Sequence, residues 1–363
     1  MSLPVVIIES HIPFVPDGFL RGVADVRFLD PAEITPAAVR DACALLVRTR
    51  TRCAAALLAG SAVKLVATAT IGTDHIDIPW CRANGIEVVS VPGCNAPAVA
   101  QYVWASVMTL RPDTWRRLTL GIVGLGHVGS IVADWGRRLG VKVLACDYPR
   151  AETEKGWNPH DPATEGIIPF VSLRQIAAEA DVVTFHTPHT VGGEFPTHHM
   201  AGADFFDSLQ RCPIVINAAR GPIVDTEAIL SASAARKLSE CVIDCWEGEP
   251  AISGHLLKSA AIATPHIAGY SIEGKRRATH AVLSALVGSL AAQGFVSAAE
   301  ADTLRDELPA PPPVVPVGCE ITPEAILSSY DPLADTATLR EGFTPARFEQ
   351  LRNSYPLRHE VGF

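Results

Sequence analysis

Residues 120–147 read LGIVGLGHVGSIVADWGRRLGVKVLACD, and this stretch decides the fold of the chain. An apolar run ends at Val123 and is followed by the glycine-rich turn GLGHVG, residues 124–129. Apolar residues then recur at helical spacing, and a second apolar run, residues 141–145, leads to Asp147. The order of strand, glycine turn, helix, strand and acid predicts a βαβ unit that binds a dinucleotide.

Each glycine of the turn has a separate physical task in such a unit. Gly124 permits the tight turn, Gly126 lets a pyrophosphate approach the backbone, and Gly129 lets the helix pack closely on its strand. Backbone amides at the start of the helix, around His127 and Val128, are expected to meet the phosphates. An ordinary βαβ turn without a ligand remains the alternative.

The acid that ends the second run indicates which dinucleotide binds. Asp147 is expected to accept hydrogen bonds from the adenosine ribose hydroxyls, and its charge would repel a ribose phosphate, which favours NAD over NADP. Arg150 lies close enough in sequence to weaken that preference. We therefore expect NAD and leave NADP open.

Composition sets limits on location and partners. The chain has 363 residues, enough for two or three domains, and a formal net charge of −9 gives no general attraction to nucleic acid or anionic membranes. Its nine cysteines lack CxxC spacing, and neither a signal peptide nor a bilayer-spanning apolar stretch is evident. The sequence predicts a cytoplasmic protein with no nucleic-acid or membrane partner.

Alternating apolar runs and helical patterns extend along the chain on both sides of the glycine turn. This alternation predicts an α/β protein with two doubly wound parallel sheets. A long helix at about 273–293 is expected to return to the first domain, and the proline-rich residues 308–318 read as a linker. The other predicted strands are 5–8, 44–47, 65–67, 86–91, 167–170, 181–185, 213–217, 241–244 and 260–264.

The first predicted sheet carries a basic loop at one of its strand ends. Residues 48–52 read RTRTR, and three arginines with two hydroxyls suit a phosphate or a carboxylate. A solvated helix N-terminus explains the same charges equally well.

Three side chains near predicted strand ends of the second sheet suit hydride transfer. His266 has the right intrinsic pKa for an acid–base group, and Glu249 could orient its imidazole and favour the charged form. Arg220 could clamp a substrate carboxylate with two hydrogen bonds. Each residue has a structural explanation on its own, but the set together with a dinucleotide motif favours a dehydrogenase.

The motifs GIVGLGHVGS, HTP, NAARG, DCWEGEP and TPHIAGY, in this order, resemble the D-isomer-specific 2-hydroxyacid dehydrogenases over about residues 3–293. The resemblance implies that Arg220, Glu249 and His266 are catalytic, with His266 as proton donor and acceptor. It also implies a Rossmann domain for NAD and a flavodoxin-like domain for the substrate. Thr187, Asp244 and Gly269 would join Asp147 as cofactor contacts.

A narrower resemblance covers nearly the whole chain. The stretches LVRTRT, ATATIGTDHID and HIAGYSIEGKRRAT, with the C-terminal tail, are similar to the family members that act on a phosphorylated hydroxy acid. It implies NAD-dependent oxidation of 4-phospho-D-erythronate to 2-oxo-3-hydroxy-4-phosphobutanoate on the route to vitamin B6. Thr49, Thr70 and Tyr270 would contact the substrate, and the tail would form a homodimer.

The resemblance divides the chain into four parts. Residues 1–93, completed by the helix at 273–293, would bind the substrate, and residues 94–272 would bind NAD. The linker 308–318 would lead to a small dimerisation segment, residues 319–363.

Two other functions remain open at this point. One is another dehydrogenase of the same family, such as a phosphoglycerate dehydrogenase; the other is an NAD-sensing binding protein on the same fold. We assign no metal, because His189, His198 and His199 lie in a polar loop without a ligand pattern. Cys245 is expected to be a packed thiol.

Overall fold

The computed structural model describes residues 2–157, 167–314 and 318–363. Residues 315–317 of the predicted linker lie outside this description. The chain divides into two compact units. One comprises Met1–Asn95 and Ile272–Val314, and the other comprises Ala96–Ser271 and Val315–Phe363.

The strands form two sheets, one in each unit. Those of the first unit are β1 Val5–Glu9, β2 Asp25–Leu29, β3 Ala42–Val47, β4 Leu65–Thr68 and β5 Glu87–Val89. Those of the second unit are β6 Thr119–Val123, β7 Lys142–Cys146, β8 Val182–Phe185, β9 Ile214–Asn217, β10 Glu240–Ile243 and β11 Ile262–Ala263.

Helices connect the strands and cover the sheets. In chain order they are α1 Pro36–Val39, α2 Ala55–Leu58, α3 Ile78–Ala83, α4 Ala96–Leu110, α5 His127–Arg138, α6 Tyr148–Ala151, α7 Leu173–Glu179, α8 Ala203–Asp207, α9 Thr226–Ala234, α10 Gly254–Ser259, α11 Ile272–Ala292, α12 Ala298–Asp306, α13 Pro323–Ser329, α14 Pro332–Arg340 and α15 Pro345–Asn353.

The first sheet is parallel and has the strand order β2-β1-β3-β4-β5, which is the flavodoxin-like order. Residues of α11 such as Val282 and Leu286 pack against Ile8 and Leu46 in its core. Strand β2 was not predicted from the sequence, because this edge strand reads DVRFL and has exposed residues in the middle of an otherwise apolar pattern. Edge strands face water, so their hydrophobic signal is weak.

The second sheet is also parallel and has the order β11-β10-β9-β8-β6-β7. Helices α4 and α5 cover one face, while α7, α9 and α10 contribute buried residues to a separate core. The fold class of two doubly wound parallel sheets is therefore confirmed. Parallel sheets of this kind bind ligands at the carboxyl ends of their strands.

One local prediction in the second unit needs correction. The strand predicted at 167–170 is reduced to isolated bridges, Ala145 with Phe170 and Trp157 with Ile168, because Pro169 has no N–H to donate to a ladder.

At the start of α7, Ser172 forms only half of a capping box. Its hydroxyl accepts the N–H of Gln175, but the Gln175 side chain donates to Glu179 instead.

The C-terminal segment packs onto the second unit through a few buried side chains. Ile326 joins the core beneath α4 and α5, and Leu339 and Phe348 join the core on the other face. All three are 0% exposed, so each buries a full apolar side chain, worth about 1.5–3 kcal/mol. Within the described residues, we find no helix whose length and hydropathy would allow it to cross a bilayer.

Candidate active site

The glycine turn that follows β6 has the geometry of a nucleotide loop. Gly124 has a φ of 92°, and a Cβ there would lie 2.9 Å from Thr187 N. A Cβ on Gly129 would lie 2.0 Å from the carbonyl oxygen of Gly124, so only glycine allows α5 to start this close to the strand. A Cβ on Gly126 would meet no described atom within 4 Å, and the loop can therefore accept a ligand against its backbone.

Asp147 lies at the end of β7 and is hydrogen-bonded to this loop. Its Oδ2 accepts the N–H of Leu125 at 2.7 Å, and its Oδ1 caps α6 through the N–H of Arg150 at 3.1 Å. The Arg150 guanidinium pairs with Glu154 at 2.6 Å and donates to Leu125 O at 2.7 Å. The Arg150 guanidinium is therefore held by Glu154 and by the glycine turn.

Two polar atoms after β8 are buried without a hydrogen-bond partner among the described residues. They are His186 Nδ1 and Thr187 Oγ1, next to the glycine turn. Burial lowers the pKa of His186 to about 3, so its imidazole is neutral, and its Nε2 lies 3.0 Å from the Thr184 hydroxyl. Buried polar atoms without hydrogen-bond partners destabilise a fold. A polar ligand such as a dinucleotide would supply the hydrogen bonds that these two atoms lack.

Asp244 ends β10 and shapes the loop that carries His266. Its carboxylate is 1% exposed and accepts the Thr264 hydroxyl and the Ile267 amide at 2.7 Å and the Ala268 amide at 3.1 Å. Burial raises the pKa of Asp244, although these donors oppose the rise. His266 itself has a φ of 57°, a left-handed conformation that costs energy in a non-glycine residue and that Asp244 stabilises from both sides.

Glu249 and His266 form a direct pair. His266 Nδ1 lies 2.8 Å from Glu249 Oε2 and 3.1 Å from Oε1, and Oε1 also accepts the N–H of Trp246 at 2.8 Å. The side chains are 17% and 28% exposed for Glu249 and His266. This arrangement fixes one ring nitrogen of His266 as a donor to Glu249, which leaves Nε2 as the atom that can exchange a proton with a substrate.

The pKa of Glu249 is set by competing effects. Burial alone would raise it, but the charge and hydrogen bond of His266, the N–H of Trp246 and the charge of Arg352 hold the pKa below its ordinary value. Glu249 is therefore a carboxylate at neutral pH. A fixed negative charge beside His266 stabilises the imidazolium that forms when the ring accepts a proton.

Arg220 lies on the loop after β9, and this loop is bound to the one that carries Glu249. The side chain of Asn217 donates to Arg220 O at 3.0 Å and to Cys245 O at 3.1 Å. A Cβ on Gly221 would lie 1.9 Å from Trp246 O, so the two loops touch through their backbones. Arg220 Nη1 donates to the carbonyl oxygen of Ala219 at 2.8 Å.

The other predicted site residues lie in both units. Thr187, Asp244, Gly269 and Tyr270 are in the second unit with the Glu249–His266 pair, while Thr49 and Thr70 are in the first unit. Thr49 is exposed, and the Thr70 hydroxyl lies 2.7 Å from that of Thr68.

Two smaller predictions concern Cys245 and metal binding. The Cys245 thiol donates to Ala219 O at 3.4 Å, and burial raises its pKa well above the ordinary value, so it is a packed thiol. In the part of the chain that the structure describes, no three His, Cys, Asp or Glu side chains are grouped to hold a metal ion.

Two arginines of the C-terminal segment lie beside this site, which was not predicted from the sequence. Arg352 lies 3.8 Å from Glu249 Oε2, and Arg358 donates to the carbonyl oxygens of Ile267 and Ala268 at 3.2 and 2.5 Å. The available signal was weak, because a basic residue in a polar helix is usually solvated.

Comparisons with known proteins agree with this geometry. Residues 96–268 match the family model described as D-isomer specific 2-hydroxyacid dehydrogenase, NAD binding domain. A crystal structure of D-lactate dehydrogenase from Aquifex aeolicus with NAD and lactic acid superposes with a TM-score of 0.64 at 25% identity, covering 80% of this chain and 96% of that one. The chain belongs to the D-isomer-specific 2-hydroxyacid dehydrogenase family, and it is an NAD-dependent dehydrogenase acting on a CH–OH group.

Relatives of nearly the same length carry a narrower name. A protein of Bacteroides fragilis named erythronate-4-phosphate dehydrogenase is 41% identical, over 98% of this chain and 97% of that protein. A protein of Marinobacter nauticus with the same name is 37% identical over 98% of this chain and 92% of its own length. Within the family, the chain is thus similar to the erythronate-4-phosphate dehydrogenases.

Proposed function

We propose that this chain oxidises 4-phospho-D-erythronate to 2-oxo-3-hydroxy-4-phosphobutanoate with NAD, in the biosynthesis of pyridoxal 5′-phosphate (vitamin B6). The observation that carries the proposal is the Glu249–His266 pair, with N–O distances of 2.8 and 3.1 Å, at strand ends of the sheet that also holds the glycine turn. The relatives at 36–41% identity that share the name of this activity support the choice of substrate.

The chemistry divides among three side chains. His266 takes the proton of the substrate hydroxyl on Nε2, and Glu249 stabilises the positive charge that the ring gains. Arg220 binds the substrate carboxylate and directs the carbon that carries the hydroxyl toward the cofactor. NAD, when bound, accepts the hydride from that carbon.

The cofactor site follows from the strand ends described above. Gly124, Gly126 and Gly129, with the amides of His127 and Val128, hold the pyrophosphate at the start of α5. The remaining cofactor contacts are Asp147, which would bind the ribose hydroxyls, and Thr187, Asp244 and Gly269. The open space above Gly126 and the unpartnered Thr187 Oγ1 support this assignment.

The phosphate of the substrate is assigned to the first unit. Glu9 is 0% exposed, and its Oε2 accepts the backbone N–H of Arg48 at 2.8 Å and the hydroxyl of Thr51 at 2.9 Å. A buried carboxylate therefore holds the basic loop at residues 48–52 in one conformation. We propose that this loop with Thr49 and Thr70 binds the phosphate, and that Tyr270 completes the substrate contacts.

The domain roles and assembly are part of the same proposal. Residues 1–93 with the helix at 273–293 bind substrate, residues 94–272 bind NAD, and residues 319–363, after the linker 308–318, form a homodimer. Leu327 and Leu333 of this last segment are 45% and 47% exposed, which supports a protein partner for it. We also propose a cytoplasmic location, which the nine free cysteines support.

The deciding experiment follows the absorbance of reduced cofactor with purified protein, NAD and either 4-phospho-D-erythronate or 3-phosphoglycerate. We expect 4-phospho-D-erythronate to give the higher kcat/KM by at least about 100-fold, because the phosphate and carboxylate must both reach their donors. His266→Ala and Arg220→Ala should each lose about 10²–10⁴-fold in kcat. Faster turnover of 3-phosphoglycerate would refute the choice of substrate, and NAD binding without turnover of either would favour the sensor.

A further inference from the structure

The C-terminal segment of this chain brings one arginine to the catalytic pair. Arg352 lies in α15, and only 18% of its side chain is exposed. Its Nη1 lies 3.8 Å from Glu249 Oε2, the oxygen that is 2.8 Å from His266 Nδ1. A guanidinium and an imidazole therefore approach the same carboxylate oxygen.

Arg352 also contacts the tyrosine that follows the catalytic histidine. Its side chain interacts electrostatically with Tyr270, and Tyr270 packs edge to face on Tyr355 with ring centroids 6.1 Å apart. Burial alone would lower the pKa of Arg352, but Tyr270 and Glu249 raise it above the ordinary value. Its Nε has no hydrogen-bond partner among the described residues. Two side chains of the active site, Glu249 and Tyr270, therefore orient this buried, charged guanidinium.

The segment that carries Arg352 is anchored on both sides of it. Before it, Phe348 is 0% exposed in the core of the second unit. After it, Arg358 donates to the carbonyl oxygens of the catalytic loop, and the Ser271 hydroxyl donates to buried Glu360 at 2.7 Å. This anchoring fixes the backbone position of Arg352. From that position its guanidinium lies 3.8 Å from the Glu249 carboxylate.

We propose that Arg352 is a positioning residue of the reaction, which holds Glu249 against His266 and Tyr270 in place for the substrate. The C-terminal segment then completes the active site of its own chain, in addition to any contact with a partner subunit. The part of this proposal that concerns Tyr270 rests on the proposed function.

Arg352 also changes the electrostatic balance around His266. Two carboxyl groups, those of Glu249 and Asp244, interact electrostatically with the ring. Arg352, whose Nη1 lies 3.8 Å from Glu249 Oε2, brings a positive charge that offsets part of the negative charge of Glu249. Removing Arg352 alone should therefore make the ring easier to protonate, and activity in the oxidation direction should need a higher pH.

Two substitutions separate the charge of Arg352 from its shape. Arg352→Gln loses both, and we expect kcat to fall about tenfold and the acidic limb of the kcat/KM profile to rise by about 0.5–1 pH unit. Arg352→Lys keeps the charge but loses the planar fork, so the limb should stay in place while KM rises about fivefold. Tyr270→Phe should raise KM to the same extent without moving the limb.

The matched control lies on the same helix. Arg347 donates to Gln350 at 3.1 Å in an exposed position, and Arg347→Gln should leave kcat, KM and the pH profile unchanged. If Arg352→Gln and Arg352→Lys both behave like Arg347→Gln, Arg352 is not a positioning residue.

A second readout does not depend on the substrate. The ring of His266 can be titrated by NMR in the protein without substrate, with His266→Gln to assign its signal. Arg352→Gln should raise the titration midpoint by about 0.5–1 pH unit, and Arg347→Gln should not. An unchanged midpoint in Arg352→Gln refutes the proposal even if 4-phospho-D-erythronate proves to be the wrong substrate. Should Arg352→Gln fail to fold, wild-type KM in Arg352→Lys refutes it and a raised KM supports it.

Discussion

Replacing Glu249 with glutamine tests the electrostatic role of the catalytic pair. Glu249 Oε2 and His266 Nδ1 are 2.8 Å apart, and both side chains are less than one third exposed. Two unit charges at this distance attract by about 3 kcal/mol at an effective dielectric constant of about 40. This energy corresponds to about two pH units, and glutamine removes it while keeping the shape of the side chain.

The expected kinetic effect follows from how far the proton has moved at the transition state. If half or more of the charge has developed on His266, about half or more of the 3 kcal/mol is lost, and kcat falls about 10- to 100-fold. The carboxylate favours the protonated ring, so its removal moves the acidic limb of the oxidation profile to lower pH. This direction is opposite to the one expected for Arg352→Gln.

The assay is the initial rate of NAD reduction from about pH 5 to pH 9, with saturating and limiting substrate. Glu247→Gln is the matched control, because Glu247 lies in the same loop as Glu249 but is outside the proposed machinery. Its carboxylate pairs with His199 at 2.6 Å. Glu247→Gln should keep the wild-type pH profile. If Glu249→Gln has the same kcat and the same acidic limb as Glu247→Gln, the argument that Glu249 stabilises the imidazolium is wrong.

Three further predictions concern stability and cofactor binding. Gly129→Ala puts a methyl group 2.0 Å from Gly124 O, so it should destabilise the chain by about 1–3 kcal/mol in denaturant unfolding and weaken NAD binding in a fluorescence titration. Asp147→Asn keeps the side-chain shape but not the charge, and NAD should bind about tenfold more weakly by calorimetry. The Glu240 carboxylate accepts two hydrogen bonds from Arg111, at 2.5 and 3.0 Å. Burial alone would raise the pKa of Glu240, but Arg111 holds this pKa below its ordinary value. The pair therefore stabilises the fold above the ordinary glutamate pKa, and this stabilisation is lost as the pH falls through the lowered pKa of Glu240. Glu240→Gln should cost about 1 kcal/mol in urea unfolding at pH 7 and progressively less in acid.

The parts of the fold that could be predicted share one physical basis. Buried parallel strands are continuous apolar runs, so β3, β4, β8 and β9 are visible in the sequence, and so is the polar residue at or directly after the end of each. In parallel sheets these ends lie on one edge, which is why Glu249 and His266 could be expected to converge. β2 was missed because its exposed Arg27 interrupts the apolar pattern, and the predicted strand at 167–170 was wrong because Pro169 cannot pair.

The contacts of the C-terminal segment could not be predicted in this way, for a physical reason. Whether Arg352 meets water or Glu249 depends on how α15 docks, and docking is decided by single buried side chains such as Phe348 rather than by a repeating pattern. The end of a strand can be located from the hydrophobic pattern of the sequence. The place where a helix docks after a linker cannot be located in this way. The proposed catalytic residues could therefore be predicted from the sequence, whereas the proximity of Arg352 to Glu249 is seen only in the folded segment.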